Sequence, residues 1–391
     1  MTTVAPRTPA AAPSLHRLFA VFLRLGATAF GGPAMIAYIR DVTVEREQWL
    51  SQAAFQEGLA LCQTIPGATA MQVAAYVGLR VRGMRGALAS YLGFALPAFL
   101  LMLMLSALYR PAHSLPAVTA AFSGLQAIIV ALIANATITF GRHTLASWRY
   151  AGVTLMAAVL FWLAVHPIII LLLAALLGLT LDIGKAGQPP APPSPLPATT
   201  RPLLGLLFTA AAALGLLALF RADLAQLALL MAKIDLVAFG GGFASLPLLF
   251  QQIVQVRGWL DGPTFLDGIA LGQLTPGPIV ITATFVGYLS QGVVGAVVAT
   301  VAIFFPSLVL VIGTAPHFAR LHSSPLFTRA VDGILCSFVG LLCTVTVHFA
   351  MQVSWKWPHL LLALLAFIAL RRKVDILWVV LVGGTAAVLL L

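Results

Sequence analysis

Two basic residues, Arg24 and Lys233, stand inside runs that are otherwise apolar, and each lies six positions before a Phe-Gly-Gly motif. An ionisable side chain in a membrane-length apolar segment costs at least ~2.5 kcal/mol, so one that persists usually faces a cavity or a partner. Snorkelling to the headgroups is the plainer alternative. The first motif, RLGATAFGGP, ends in Gly31, Gly32 and Pro33; the second, KIDLVAFGGG, carries Gly240 and Gly241. Consecutive glycines unwind a helix, and proline suits the first turn of the next one. A half-helix beginning there would aim its free N–H groups and positive dipole end at whatever precedes it, which makes an anion site. Close helix packing through small residues is the competing reading. Asp235, two positions after Lys233, is expected to compensate part of that charge locally.

A second pair of motifs interrupts the oily sequence. CQTIPGA holds Gln63, Thr64, Pro66 and Gly67, and GQLTPGP holds Gln273, Thr275, Pro276, Gly277 and Pro278. Proline removes an N–H and strands a carbonyl, while glutamine offers both donors and acceptors. Unwound backbone at membrane depth is tolerated chiefly where it lines a cavity, although a kink satisfied by its own glutamine would look the same. Glu57 and Asp267 sit six positions before the two glutamines. Together with Asp235 they are the carboxylates that could carry a coupled proton; helix capping near the interface is the alternative for the first two.

These residues need elements to position them, and composition fixes what kind. Of 391 residues, 61% are hydrophobic and 8% charged, against about 25% charged in a soluble domain. Apolar runs of roughly 18–25 residues recur along the chain, and the alternating ten-residue segments of a β-barrel are absent. The expected fold is therefore all-α and polytopic. The net charge of +11 is scattered through short loops, which argues against nucleic acid. Cys62, Cys336 and Cys343 form neither a disulfide framework nor a metal motif.

Sliding the chain against itself shows one unit written twice at a spacing of 209 to 210 residues: 15–182 and 224–391. Residues 1–14 read as a disordered tail, 183–202 as a Pro-rich linker, and 203–223 as an unpaired linking helix. Reading every apolar segment as a single crossing, with 51–79 and 264–289 among them, predicts about 13 transmembrane helices; re-entrant hairpins at the two proline breaks are the alternative, and would change the count of crossings. An unpaired helix between the copies inverts the second relative to the first. With the N-terminus cytoplasmic, fifteen basic residues fall inside and five outside, in accord with the positive-inside rule.

The two motif pairs, in this order and over residues 15 to 391, resemble the chromate ion transporter family in its long, two-domain form. The resemblance implies an inner-membrane protein that exports chromate and confers resistance to it. Two positions depart from the family's pattern: Ala34, Met35 and Ile36 follow the first glycine pair where relatives carry a His, and Ala68 stands where a proline is expected. The residues themselves point to a small oxyanion moved by alternating access between inverted repeats. The expected partners are a chromate- or sulfate-like oxyanion and the lipid bilayer, with a homodimer considered. No cofactor, metal or nucleic acid is expected. A sulfate or other anion permease is the rival within transport. An intramembrane enzyme on a lipid-linked anion would want a carboxylate–His or Ser–His constellation, which the repeat-equivalent positions lack.

Overall fold

The computed structural model describes residues 13–30, 32–145, 147–180, 200–318 and 324–391, and the regular elements among them are all helical. Lipid leaves no other simple choice, because each backbone polar group must then be satisfied within its own segment. The tail up to residue 12 and the linker residues 183–199 lie outside the described residues.

Both repeats open with two helical hairpins. In the first, α1 (Leu15–Thr28) stops before the glycine pair, and α2 (Gly32–Arg40) runs on into a π-helical turn, Asp41–Arg46. Arg17, early in α1, meets Glu47 beyond that turn at 2.8 Å, so the two limbs lie side by side with Phe30 and Gly32 at their tip. The next hairpin joins α3 (Gln52–Thr64) to the opening arm of α4 (Thr69–Ala112). Glu57 lies 3.8 Å from Arg80, and Gly58 is covered by the Tyr76 ring, so QTIPGA forms a second tip. The chain then reverses once more inside α4, at Arg82 and Gly83, where Gly83 has φ +61°. Ser90 Oγ donates to the Ala74 carbonyl at 2.7 Å across that reversal, and the backbones of Gly78 and Gly86 touch.

The second repeat copies this backbone closely. Helix α8 (Thr200–Phe220) leads to α9 (Ala222–Val237), whose Lys233 and Val237 line one small cavity with Leu248 and Gln252. Those last two belong to α10 (Ser245–Phe250) and its π-helical continuation, Gln251–Val256. Helix α11 (Gly262–Leu274) folds back on the start of α12 (Thr282–Thr314), with Gly268 under the Phe285 ring. Helix α12 reverses at Gln291 and Gly292, whose angles of −140°, 21° and 64°, −155° match those of Arg82 and Gly83 at −140°, 24° and 61°, −153°.

The segments 51–79 and 264–289 are therefore not the single crossings expected from sequence. Each is a pair of short limbs turned back at its proline. Helix α3, at 13 residues, is about 20 Å long and falls short of the ~30 Å hydrocarbon layer. Five helices are long and apolar enough to cross a membrane by length and composition, and α4 and α12 are two of these despite their internal reversals. Helix α8 begins at Thr200, slightly before the expected linking segment.

The later helices are exchanged between repeats. Helix α5 (Pro116–Thr144) packs on α14 (Trp357–Arg371) and α15 (Ile376–Leu390) of the second repeat. In return, α13 (Pro325–Gln352) packs on α6 (Trp148–Trp162) and α7 (Pro167–Thr180) of the first. Glycines permit this closeness: Gly333 rests on the Ala174 carbonyl and Gly124 on Ala387. The hairpins and the long arms of α4 and α12 form one bundle, and α5–α7 with α13–α15 form the other.

Candidate functional site

The hairpin tips meet. Gly67 N–H donates to the carbonyl of Ala238 at 2.9 Å, and Gly277 N–H donates to that of Ala29 at 3.1 Å. Ala29 and Ala238 are the residues just before the two Phe-Gly-Gly motifs, so the proline tip of each repeat is tied to the glycine tip of the other. The contact is reciprocal, as a two-fold relation requires. Gly67 and Gly277 hold φ +119° and +116°, a conformation that L side chains rarely adopt. A Cβ on Gly241 would lie 3.2 Å from Thr69 Oγ1, and one on Gly242 would lie 2.8 Å from Ile279. The start of α4, the 3-10 turn Ile279–Ile281 that leads α12, and the second glycine tip thus share one place.

The residues expected from sequence are sorted by this geometry. Gly240, Gly241, Gly67, Pro276, Gly277 and Pro278 form the tips, and the last four are buried. Pro66 presents its carbonyl to Gln72 Nε2. Gly32 and Pro33 open α2, while Gly31 lies outside the described residues. Gln273 has its Nε2 buried with no hydrogen-bond partner among the described residues. Gln63, its repeat equivalent, is exposed. The Thr64 and Thr275 hydroxyls both donate back into their own helices, to Ala60 and Gly272, which commits their protons to finishing α3 and α11.

Arg24 and Lys233 are exposed on their helices rather than turned into the tips. Lys233 lines its cavity together with His166, from the α6–α7 connection, and Gln252. The expected pairing of Lys233 with Asp235 does not form. Residues two apart project to different sides of a helix, and Asp235 turns inward, where its carboxylate accepts from the Ser307 N–H at 2.8 Å. Glu57 and Asp267 are not helix caps; Ser51 and Asp261 do that work. Asp267 is buried and accepts from Tyr109 Oη at 2.7 Å and Gln126 Nε2 at 2.8 Å.

Four buried polar residues around Asp235 and Asp267 were not expected from sequence: Gln72, Tyr91, Tyr109 and Ser307. Gln72 stands alone in the apolar run TAMQVAAY, and Ser307 follows the helix-interior Pro306. Those were the available signals, and neither names its partner.

The chain matches the family model described as chromate transporter twice, over residues 16–179 and 225–388. It is 39% identical to an uncharacterised transporter of Methanocaldococcus jannaschii, over 97% of this chain and 95% of that one. A chromate transport protein of Pseudomonas aeruginosa is 32% identical over 95% of this chain and 92% of its own, and one of Cupriavidus metallidurans is 30% identical over 96% and 92%. No solved structure matches. Two matched segments, over the same stretches in which the hairpins and long arms repeat, leave one assignment: this chain belongs to the chromate transporter family, whose members are transporters and not enzymes.

Proposed function

We propose that the protein exports chromate across the inner membrane, binding the dianion where the hairpin tips meet. The observation that carries this reading is Gln273 Nε2, a buried donor without a partner among the described residues, on the last turn before the second proline tip. Helix α4 and the 3-10 turn leading α12 begin just beyond the two proline tips, where helix dipoles favour an anion. The relatives named as chromate transport proteins supply the substrate class. Arg24 and Lys233 draw the anion toward the tips, one from each side. The glycine tips at Gly32, Gly240 and Gly241 and the proline tips bring backbone to it. Glu57, Asp267 and Asp235 are the carboxylates available to couple a proton.

Several contacts support inverted repeats. Arg17 with Glu47 and Glu57 with Arg80 gather the open ends of the first pair of hairpins at one end of the molecule. Asp267 with Tyr109, and Arg110 with the Leu289 carbonyl at 3.3 Å, gather those of the second pair at the far end of α4. Counted this way among the described residues, thirteen basic side chains lie at the end shared with Arg17 (Arg17, Arg40, Arg46, Arg80, Arg82, Arg85, Arg142, Arg149, Arg201, Arg329, Arg371, Arg372 and Lys373). Four lie at the other: Arg110, Arg221, Arg257 and Lys356. That asymmetry favours a cytoplasmic N-terminus. Because the helices are exchanged, alternating access is motion between the two interleaved bundles, not between the sequence halves.

Chromate uptake into inside-out vesicles tests the reading. Gln273→Leu is expected to lose uptake through a raised KM, and Gln273→Glu to lose it more completely by charge repulsion. Uptake of sulfate but not chromate by the unaltered protein overturns the substrate and leaves the site; normal chromate uptake in both variants overturns the site.

A further inference from the structure

The two tips are alike in backbone and unlike in chemistry. At the first, Ala68 N–H donates to Ser307 Oγ at 3.1 Å and also points at the Asp235 carboxylate. Ser307 N–H donates to Asp235 Oδ2 at 2.8 Å, and its hydroxyl, which accepts from Ala68, lies beside the same carboxylate. Asp235 is 1% exposed and Ser307 is fully buried. Gln72, fully buried beside them, bonds the Pro66 carbonyl through Nε2, and its Oε1 has no partner among the described residues. Three segments thus close on one carboxylate: α9, the long arm of α12, and the first proline tip.

At the second tip every member of this arrangement is replaced. Pro278 stands where Ala68 stands and has no N–H to give. Ala98 occupies the position of Ser307 and lies 2.9 Å from where a Cβ on Gly277 would be. Gly26 occupies the position of Asp235, with its missing side chain giving room to the Phe94 carbonyl. A donor, a hydroxyl and a carboxylate are present together at one tip and absent together at the other. One lone polar residue could be incidental to packing; three that bond one another across the repeat junction form a built site.

We propose that Asp235 is the single coupling-proton site, and that its protonation releases the first proline tip from α12. This rests on the transport reading above. The charged carboxylate is held by N–H and O–H donors, each of which favours the ionised form and weakens when a proton arrives. Neutral Asp235 then loses its charge-assisted bond from the Ser307 N–H, Ser307 is free to turn its hydroxyl away from the Ala68 N–H, and the tip is left held to α9 by the Gly67–Ala238 bond. A metal cation fits less well, since the carboxylate already faces N–H groups and Gln72 Oε1 is the one spare oxygen of a group that hard cations need in larger number. Of titratable groups facing the carboxylate, α4 contributes Tyr91, whose hydroxyl donates to the Phe304 carbonyl at 2.6 Å. Helices α8, α10 and α12 contribute none among the described residues, since Ser307 is a donor that does not titrate, and Lys233 on α9 itself is exposed on another side. Glu57 and Asp267 have partners within or beside their own hairpins and no link to a tip of the other repeat.

The full chain in liposomes, at zero membrane potential, provides the test. Chromate accumulation is measured against a pH gradient, and hydrogen exchange of residues 63–75 is measured against pH after correction for the intrinsic rate. One proton per anion gives about tenfold accumulation for each unit of pH gradient. The unaltered protein is expected to show this, and to lose protection over 63–75 as Asp235 takes its proton. Asp235→Asn is expected to keep chromate exchange at equal pH, to lose gradient-driven accumulation, and to leave 63–75 unprotected at every pH. Asp235→Glu should restore a pH response, and Ala68→Pro, which copies the second tip, should weaken it. Gradient-driven accumulation that survives in Asp235→Asn, protection over 63–75 that ignores pH in the unaltered protein, or accumulation that follows sodium instead each overturns the proposal. If no chromate moves at all but the Asp235-dependent loss of protection appears, the coupling site stands and the substrate falls.

Discussion

At the scale of single residues, the tips are where the sequence is least replaceable. Gly67 and Gly277 combine φ near +117° with an N–H committed to the other repeat. Holding a non-glycine residue there costs roughly 1–3 kcal/mol. The cost is larger at Gly67, because a Cβ there would collide with the Ser307 side chain, whereas at Gly277 it would meet the Ala98 methyl at 2.9 Å. Gly67→Ala is therefore expected to lower thermal stability in detergent more than Gly277→Ala, with both below the unaltered protein. The basic pair is expected to act differently. Arg24 and Lys233 are exposed, so Arg24→Gln and Lys233→Gln should each reduce uptake at low chromate by roughly tenfold at low ionic strength, with the deficit shrinking as salt rises. A deficit independent of salt would mean direct ligation in place of attraction. Glycine, proline and the lone charges were legible in the sequence because each breaks a local rule of an apolar helix. Ser307 was not, since its partner Ala68 is 239 residues away and no local rule is broken by a buried serine.

At the scale of elements, composition misled in one specific way. An apolar run of membrane length reads the same whether the chain continues straight or turns back on itself. What decides is backbone: Gly83 and Gly292 with positive φ, and glycine pairs whose backbones touch across the turn. Gly78 and Gly86 hold the two arms of α4 in contact, as Gly287 and Gly295 do in α12. Gly86→Leu would drive the arms apart, and overpacking of this kind typically costs about 1–3 kcal/mol or more. Gly205 on α8 has nothing within 4 Å of its missing side chain, so Gly205→Leu is expected to be silent. Thermal unfolding monitored by size-exclusion chromatography separates the two outcomes. Equal stability of both variants would mean that α4 runs straight through Arg82. The repeat period, by contrast, was readable from sequence alone, because matched motifs need only register and not direction.

At the scale of the whole molecule, the exchange of helices is the feature that no single-sequence argument reached. Self-comparison finds two copies but says nothing about which copy a helix packs on. Here α5 leaves its own repeat to lie against α14 and α15, while α6 and α7 lie against α13. Neither half can bury these faces by itself: Ile128, Ile129 and Ile133 of α5 are fully buried, and Gly124 and Ile128 of that helix rest on Ala387 and Gly383 of the other repeat. Cutting the chain between 183 and 199, outside the described residues, severs no described contact. The two fragments expressed together are therefore expected to co-purify as a folded, chromate-binding unit. Each expressed alone should leave exposed helix faces that must otherwise be covered, and should accumulate poorly. Gly333→Leu in the C-terminal fragment is expected to abolish co-purification, because its side chain would strike the Ala174 carbonyl of α7. Gly215→Leu, with nothing within 4 Å, should leave it intact. Stable, separately folded halves would show that the repeats are independent bodies, and transport would then be motion between halves after all. Association that fails only in Gly333→Leu would identify the exchanged helices as what joins the halves.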